Sequence, residues 1–438
     1  MTLRILVLGA GGREHALAWR LAADPGTDVL VAPGNARIAA EHRCVAVDER
    51  DPAAVAELAA REGVQLVVVG PEAPLAAGVT GVLAARGIAV FGPSSAAARL
   101  EWSKTFAKEV LGAAEVPTAA ARSCVTRAEV AAALDGFGPP YVVKADGLAA
   151  GKGVLVTRER AAALEFAARC LEAGLLGDSG RRVLVEQFLD GEEASVMAVC
   201  DGERFVLLPA ARDYKRAHDG DLGPNTGGMG AFAPLEAIDA GLESEIGRRI
   251  VTPVLRAMAA RGTPYRGTLY CGLMLTPDGP QVVEFNSRFG DPEAQVILPL
   301  VSGPFGELLL GAARGTLVPA SVGRETGAAV AVALVDEGYP ERVAGNGSIE
   351  GLDAMAAQEH VRVFGAGLER SAGGWAVRGG RAAYVMACGE TRAEARRRAY
   401  RAIDSLGGRG WRCRRDVAAD MKQAAAGAAS RPARAGHA

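Results

Sequence analysis

Glu284 and Asn286 stand two residues apart in the stretch Gln-Val-Val-Glu-Phe-Asn-Ser-Arg-Phe-Gly-Asp-Pro-Glu, which runs from Gln281 to Glu293. Side chains alternate along a strand, so this spacing puts both on one face, about 7 Å apart. Val283 and Phe285 are expected to pack behind them. Two oxygen donors so placed suit a hard cation such as Mg²⁺ or Mn²⁺, with phosphate oxygens and water completing the shell. An exposed strand face with ordinary polar residues gives the same pattern, and the pair alone does not separate the two. Arg288 and the following Asp291-Pro292-Glu293 add three charged groups to a short loop and favour a site.

A second signal is compositional. Of 49 basic residues only six are lysine: Lys104, Lys108, Lys144, Lys152, Lys215 and Lys422. A chain that uses arginine almost everywhere keeps lysine where a compact ammonium is needed, as on a phosphate. Lys144 ends a predicted strand, Tyr141 to Lys144, and Lys152 lies in Ala-Asp-Gly-Leu-Ala-Ala-Gly-Lys-Gly before a strand at Val154 to Thr157. Gly151 and Gly153 let that backbone approach a polyphosphate closely. No helix with a hydroxyl follows, so this is a glycine-rich hairpin over nucleotide phosphates and not the usual phosphate loop. A flexible surface hairpin is the competing reading.

The elements that must position these groups can be read in order. Leu3 to Leu8 is a buried-type strand, followed by Gly9-Ala10-Gly11-Gly12-Arg13-Glu14-His15 and an apolar helix. The turn resembles a dinucleotide fingerprint, but Glu14 takes the third glycine position and would set a carboxylate against a pyrophosphate. Val29 to Ala32 ends without the carboxylate that an adenosine ribose needs. A nicotinamide cofactor is therefore disfavoured, while a single phosphate on the Gly11 and Gly12 amides stays open beside a plain tight turn. Strands at Val64 to Val69 and Ile88 to Phe91 place Asn35, Glu72 and Ser94, like Gly11, at carboxyl ends, where parallel sheets bind ligands. Residues 1–105 thus read as an open, doubly wound α/β domain.

Beyond it, strands are expected at Arg182 to Gln187 and Ala194 to Cys200, with Glu186, Phe188 and Leu189 on a hinge edge and Glu193 beside it. A helix is expected from Ala161 to Ala173. Ala211 to Gly230 reads as a long loop dense in charge, closing on Gly227, Gly228 and Met229; such loops are functional or disordered. Leu242 to Arg261 reads as one amphipathic helix, and Thr268 to Thr276 as the strand that turns at Pro277, Asp278 and Gly279 into the metal strand. A third α/β segment has strands at Ala328 to Val335, Val361 to Gly365 and Ala382 to Ala387 and a helix at Arg392 to Leu406, with no chemistry legible in it. The expected units are 1–105, 106–193, 194–325, 326–421 and a disordered tail at 422–438.

At 438 residues the chain holds about three domains at ~150 residues each. A net charge of −2 gives no case for a nucleic-acid or membrane-surface partner. No apolar run approaches the ~18 residues of a membrane span. The N-terminus reads as a first strand and not a secretory signal. The seven cysteines are scattered without a Cys-x-x-Cys pair, which fits reduced thiols in the cytoplasm.

Taken together, Lys-Ala-Asp-Gly-Leu-Ala-Ala-Gly-Lys-Gly (144–153), Gly-Pro-Asn-Thr-Gly-Gly-Met-Gly (223–230) and Arg-Phe-Gly-Asp-Pro-Glu (288–293) resemble the glycinamide ribonucleotide synthetases of the ATP-grasp superfamily. Gly9 to Leu17, Ala32 to Asn35, Val69 to Pro74, Phe91 to Pro93 and Glu186 to Ser195 match in the same order. The resemblance implies an α/β and α+β multidomain fold: an N-terminal parallel α/β domain, an ATP-grasp core with a small mobile lid, and a small C-terminal α/β domain. It implies ligation of glycine to 5-phosphoribosylamine through glycyl phosphate, a step of purine synthesis, by a monomer or weak homodimer.

Carried over by position, Lys104, Lys144, Gly151, Lys152 and Gly153 would hold ATP phosphates. Glu186, Phe188 and Leu189 would meet the adenine and Glu193 the ribose, with Glu284 and Asn286 on Mg²⁺. Gly11, Gly12, Glu14, Asn35, Pro71, Glu72 and Asp213 would bind phosphoribosylamine. Gly227, Gly228, Met229, Arg288, Asp291 and Pro292 would face the glycine or its acyl phosphate, and Arg288, Asp213 and Lys215 would be catalytic. Tyr214 departs from the family, which has His there. The strand before the metal strand, Tyr270 to Leu273, lacks the acidic ligand of many relatives. Another ATP-grasp ligase or carboxylase, a nicotinamide oxidoreductase and a non-catalytic nucleotide binder are the competing functions.

Overall fold

The computed structural model describes residues 2–147, 153–171 and 181–419. The expected tail, Gly151 and Lys152 lie outside the described residues. The N-terminal sheet contains β1 (Leu3–Gly9), β2 (Thr27–Pro33), β3 (Arg43–Cys44), β4 (Leu66–Val69) and β5 (Ala89–Phe91) in the order β3-β2-β1-β4-β5, all parallel. The apolar runs of β1 and β4 are buried because helices cover both faces, as parallel sheets require. Helix α1 (Gly12–Ala22) follows β1 directly.

The next unit is an antiparallel sheet in the order Ala121–Cys124, Val183–Glu186, Tyr141–Ala145, Val154–Thr157. It stacks on helices Arg127–Phe137 and Arg160–Leu171. A second antiparallel sheet runs Phe205–Leu207, Glu192–Asp201, Arg266–Thr276, Gly279–Asn286. Thr118, just before the first strand of the former sheet, pairs with Val282 of the second sheet. The single helix expected from Leu242 to Arg261 is three segments: Ala240–Ile246, a π-helical turn at Gly247–Val251, and Thr252–Ala260.

The stretch 211–230 is not a structureless loop. Arg212–Asp213 pairs with Gly230–Ala233, and Arg216–His218 with Leu222–Asn225. Gly230–Ala233 pairs in turn with Ala328–Asp336, the central strand of the C-terminal sheet. That sheet continues through Arg381–Gly389 to Val361–Gly365, with helix Arg392–Asp404 packed on it. The segments 212–233 and 328–389 therefore share one sheet. Its edge brings residues numbered near 213, 227 and 381 together.

Candidate active site

The strand that carries Glu284 and Asn286 lies where the alternation puts it, with one correction. Gly272 pairs with Glu284 and Leu273 with Val282, so Val283 is an extra, bulged residue. Val282 and Phe285, not Val283 and Phe285, are the buried pair behind the polar face. The bulge frees the Val283 carbonyl, which accepts a hydrogen bond from Lys144 Nζ at 3.0 Å. Glu284 and Asn286 keep the same face, and glycine at 272 leaves room for the Glu284 stem, since a Cβ there would sit 3.1 Å from Glu284 Cγ.

Around this strand lies a ladder of alternating charge. Lys144 Nζ is 2.8 Å from Glu186 Oε2, with both side chains 4% exposed, and Lys108 Nζ is 3.4 Å from Glu186 Oε1. Glu186 therefore braces two lysines, and its carboxylate is not available to a purine. In the segment after it, Gln187, Phe188 and Asp190 are exposed and Leu189 half-buried, and the Gln187 amide donates to Ala120 O at 2.9 Å. Lys108 also donates to Thr118 Oγ1 and Ala119 O, which makes it a brace and not a phosphate ligand. Burial holds the Lys104 ammonium below its ordinary range, with Glu284 pulling the other way. Gly153 begins the return strand, its carbonyl accepting from Ala145 N at 2.8 Å.

Lys215 Nζ lies 3.2 Å from Glu193 Oε2 and 3.8 Å from Glu284 Oε1. Burial opposes the Lys215 charge, but Glu193 and Glu284 raise its pKa well above the usual value. Burial likewise opposes the Glu284 carboxylate, and Lys215, Lys144 and Lys104 overcome it and hold the group below its usual range. Glu284 is thus an anion ringed by ammonium groups. Tyr214, between Asp213 and Lys215, turns to the opposite side, is buried against Arg414, and accepts from Ala418 N at 3.0 Å. Its departure from the family's His therefore leaves the site face unchanged.

Arg288 is fixed from the N-terminal domain. Its Nε is 3.4 Å from Glu72 Oε2, just after Pro71 at a helix start, and its Nη2 is 3.1 Å from Glu101 Oε1. Glu101 also accepts from Ser287 N at 2.9 Å. The sequence reading missed Glu101, which sits mid-way along an ordinary helix, Ser95–Trp102. Ser94 caps that helix and is not at a ligand face.

Three predicted ligands of the phosphoribosylamine side are already occupied. The Gly11 amide donates to Glu14 Oε2 at 2.6 Å, and Glu14 Oε1 accepts from Arg13 Nε at 2.6 Å. The carboxylate therefore stands where a phosphate would stand on the turn, and the Gly11 amide is not a phosphate donor. Asn35 donates to Ala10 O and Gly365 O and accepts from the Arg37 and Ile38 amides, which fills its hydrogen-bonding capacity. It joins the first and last domains. Gly12 packs against Tyr384, and a Cβ there would overlap that ring. Met229 is fully buried in the core.

What does converge is Asp213, Gly227, Gly228, Asp291 and Pro292. Gly228 has φ +110, and a Cβ on it would overlap Pro292 and lie 2.9 Å from Asp213 Oδ1. Asp213 Oδ1 is buried without a hydrogen-bond partner among the described residues. Burial, and then Glu293, push its carboxyl well above the usual carboxylate range. Asp291 accepts from Gln295 Nε2 at 2.6 Å and pairs with Arg381 at 3.1 Å. Despite burial, Arg381 and Arg13 hold it below its usual range. Arg381 comes from the segment in which no chemistry was legible.

A separate cluster, His15, Glu41 and His42, brings three ligand atoms within 4.8 Å of one another. His15 Nδ1 accepts from Gly365 N at 3.0 Å, so Nε2 carries the proton and faces Glu41 at 3.5 Å, while Arg37 holds the other Glu41 oxygen at 2.7 Å. The ion pair of this cluster is Arg37–Glu41, and burial lowers the pKa of both His15 and His42.

The family model for the phosphoribosylglycinamide synthetase ATP-grasp (A) domain matches residues 102–294, its N domain residues 3–101 and its C domain residues 329–420. A phosphoribosylamine–glycine ligase from Leifsonia xyli is 49% identical over 95% of this chain and 100% of its own length. The chain belongs to the phosphoribosylglycinamide synthetase family. The crystal structure of the phosphoribosylamine–glycine ligase of Thermotoga maritima superposes with a TM-score of 0.82 at 35% identity, covering 94% of this chain and 100% of that one. The biotin carboxylase domain of Hydrogenobacter thermophilus 2-oxoglutarate carboxylase shares the fold at a TM-score of 0.72 and 16% identity, over 94% of this chain and 92% of that one. Among the described residues no helix is long and apolar enough to cross a membrane.

Proposed function

We propose that the charged ladder on the metal strand and the Asp213 cluster divide the family's reaction between them. The chain is an ATP-dependent carbon–nitrogen ligase that joins glycine to 5-phosphoribosylamine, giving glycinamide ribonucleotide, ADP and phosphate in purine synthesis. The observation that carries the division is the placement of Glu284 among Lys104, Lys144, Lys215 and Arg288, with the orphaned Asp213 oxygen beside Gly228 near it.

In the first half, Lys104 and Lys144 hold ATP phosphates, and the family resemblance assigns Gly151, Lys152 and Gly153 to the same phosphates. The backbone of the Gln187–Asp190 hinge meets the adenine, with Phe188 and Leu189 lining it, and Glu193 meets the ribose. Glu284 and Asn286 fit a hard divalent cation, Mg²⁺ or Mn²⁺: one anion and one neutral oxygen on one face, the anion kept charged by its lysines. Such a cation, when bound, neutralises charge on the phosphates. Arg288, held by Glu72 and Glu101, aligns the glycine carboxylate. A glycine oxygen attacks Pγ, the bond to ADP breaks, and glycyl phosphate forms. Little covalent help is needed, because phosphoryl transfer depends on alignment and charge.

In the second half, the amine of phosphoribosylamine attacks the glycyl carbonyl carbon. The C–O bond to phosphate breaks, and the proton on the new amide nitrogen passes to Asp213. Burial raises the Asp213 pKa above the usual carboxylate range, and a more basic carboxylate is a better proton acceptor. Gly227, Gly228, Asp291 and Pro292 shape the amine's side, with Glu72 across from them. Lys215 favours the ionised form of both Asp213 and Glu284.

The test separates the halves. Positional isotope exchange in ¹⁸O-labelled ATP should require glycine and proceed without the amine. It should be lost in Lys144→Met and retained in Asp213→Asn, whose overall turnover falls. Exchange without glycine, or equal loss in both variants, contradicts the division.

A further inference from the structure

We infer that Arg381, carried by the C-terminal domain, is a positioning residue for the amine-attack half of the reaction, clamping the glycine loop and the Asp291 turn together over Asp213. The inference rests on the reading of Asp213 given above. Arg381 opens the strand Arg381–Gly389, which bulges at Ala382: Arg381 pairs with Val335 and Ala383 with Leu334. Its Nη1 donates to the Gly227 carbonyl and, at 2.9 Å, to the Asp291 carbonyl. Its Nη2 reaches Asp291 Oδ2 at 3.1 Å. One guanidinium thus holds two loops from different parts of the chain, and a planar fork can do this where a lysine ammonium cannot.

The clamp is itself fixed. Arg381 Cζ lies 5.6 Å from the Tyr384 ring centroid, and that ring packs on Gly12 of the first domain. Tyr339 OH accepts from Gly227 N at 3.0 Å, so the Gly227 residue is gripped at its N–H and at its C=O by side chains of the C-terminal segment. A Cβ at 227 would sit 3.0 Å from Arg381 Cζ, so the close approach needs glycine there. Gly228, next along, is the residue pressed between Pro292 and Asp213. Movement of the clamp moves the wall of the Asp213 pocket.

Arg381 also acts on Asp213 through charge. The groups that face Asp213 are Glu293 and Glu193, which raise its pKa, and Lys215 and Arg381, which lower it. Removing Arg381 therefore raises the Asp213 pKa and moves the acid limb of the amine-attack rate to higher pH.

The experiment uses the full chain with Arg381→Lys and Arg381→Met. Steady-state constants for ATP, glycine and phosphoribosylamine, the pH profile of turnover and glycine-dependent isotope exchange in ATP are measured together with thermal unfolding. The expected result is at least a tenfold fall in kcat/KM for phosphoribosylamine in Arg381→Met, with KM for ATP and the exchange rate within twofold of the parent. The acid limb should lie at higher pH, and Arg381→Lys should recover part of the loss. The inference is overturned if Arg381→Met leaves phosphoribosylamine kinetics and the pH profile unchanged. It is overturned equally if constants for all three substrates and the exchange rate fall together in the folded Arg381→Lys chain, which would make Arg381 domain glue. Failure of the underlying reading looks different: Asp213→Asn would then turn over normally while the Arg381 variants did not.

Discussion

Replacing Glu186 by Gln removes a charge from a buried ion cluster while keeping the side chain's shape. At an effective dielectric constant of about 20, the 2.8 Å contact with Lys144 and the 3.4 Å contact with Lys108 correspond to gross attractions of about 6 and about 5 kcal/mol. Desolvation of the three groups cancels much of this. Removing one partner of a buried pair costs about 3–5 kcal/mol, because the remaining charge is left uncompensated. The Gln oxygen keeps one hydrogen bond, worth about 1 kcal/mol. The net destabilisation should be about 2–4 kcal/mol, or a fall in Tm of roughly 5–15 °C for a domain of this size. Lys144 keeps its bond to the Val283 carbonyl but loses its second anchor, so KM for ATP should rise about tenfold and KM for phosphoribosylamine should not change. Preference for ATP over GTP should also stay, since the carboxylate does not face the base. The assay is steady-state ADP release with each nucleotide, alongside thermal unfolding. Loss of ATP preference with an unchanged Tm would refute this reasoning and return Glu186 to the purine.

Three further outcomes follow from the same contacts. Glu284→Gln removes the only anion assigned to the cation, so a Mg²⁺ titration of turnover should need at least tenfold more metal; an unchanged midpoint rules the ligand out. Asp213 is protonated more readily in the folded than in the unfolded chain, so its contribution to stability is complete at low pH and is lost as pH rises through its raised folded value. Asp213→Asn should therefore unfold at higher temperature near neutral pH, by about 1–3 kcal/mol, and lose most of its turnover; an equal or lower Tm there contradicts the burial argument. Asn35→Ala should destabilise the chain by about 1–3 kcal/mol through lost buried hydrogen bonds and leave KM for phosphoribosylamine within twofold. A large rise in that KM would make Asn35 a ligand after all.

Much of the site was legible because its signals are local. The period-2 pattern of Gln281 to Asn286 and the turn before it gave Glu284 and Asn286 their shared face. The scarcity of lysine pointed to Lys104, Lys144 and Lys215, although it also drew in Lys108, which is a brace. What could not be read depends on pairing between distant segments. The Val283 bulge arises from its register with Gly272 and Leu273, and it exchanged the expected core residue. The stretch 211–230 looked like a loop because its strands are short and glycine-rich and join a sheet centred on Ala328–Asp336. Glu101 meets the Ser287 amide across 186 positions and Arg381 meets Asp291 across 90, each from an element with unremarkable sequence. Gly11 and Asn35 follow strand ends as expected, but the hydrogen bonds of Gly11 with Glu14 and of Asn35 with Ala10 and Gly365 close on one another and on the C-terminal domain, which no single segment reveals.

The most direct measurement is ADP release by the purified chain with Mg²⁺ and ATP, with glycine and freshly prepared phosphoribosylamine supplied singly and together, and the product followed by mass. One ADP and one glycinamide ribonucleotide should form per turnover, and only when both substrates are present. Equal ADP release with another amino acid in place of glycine, or release that ignores the amine, would contradict the account.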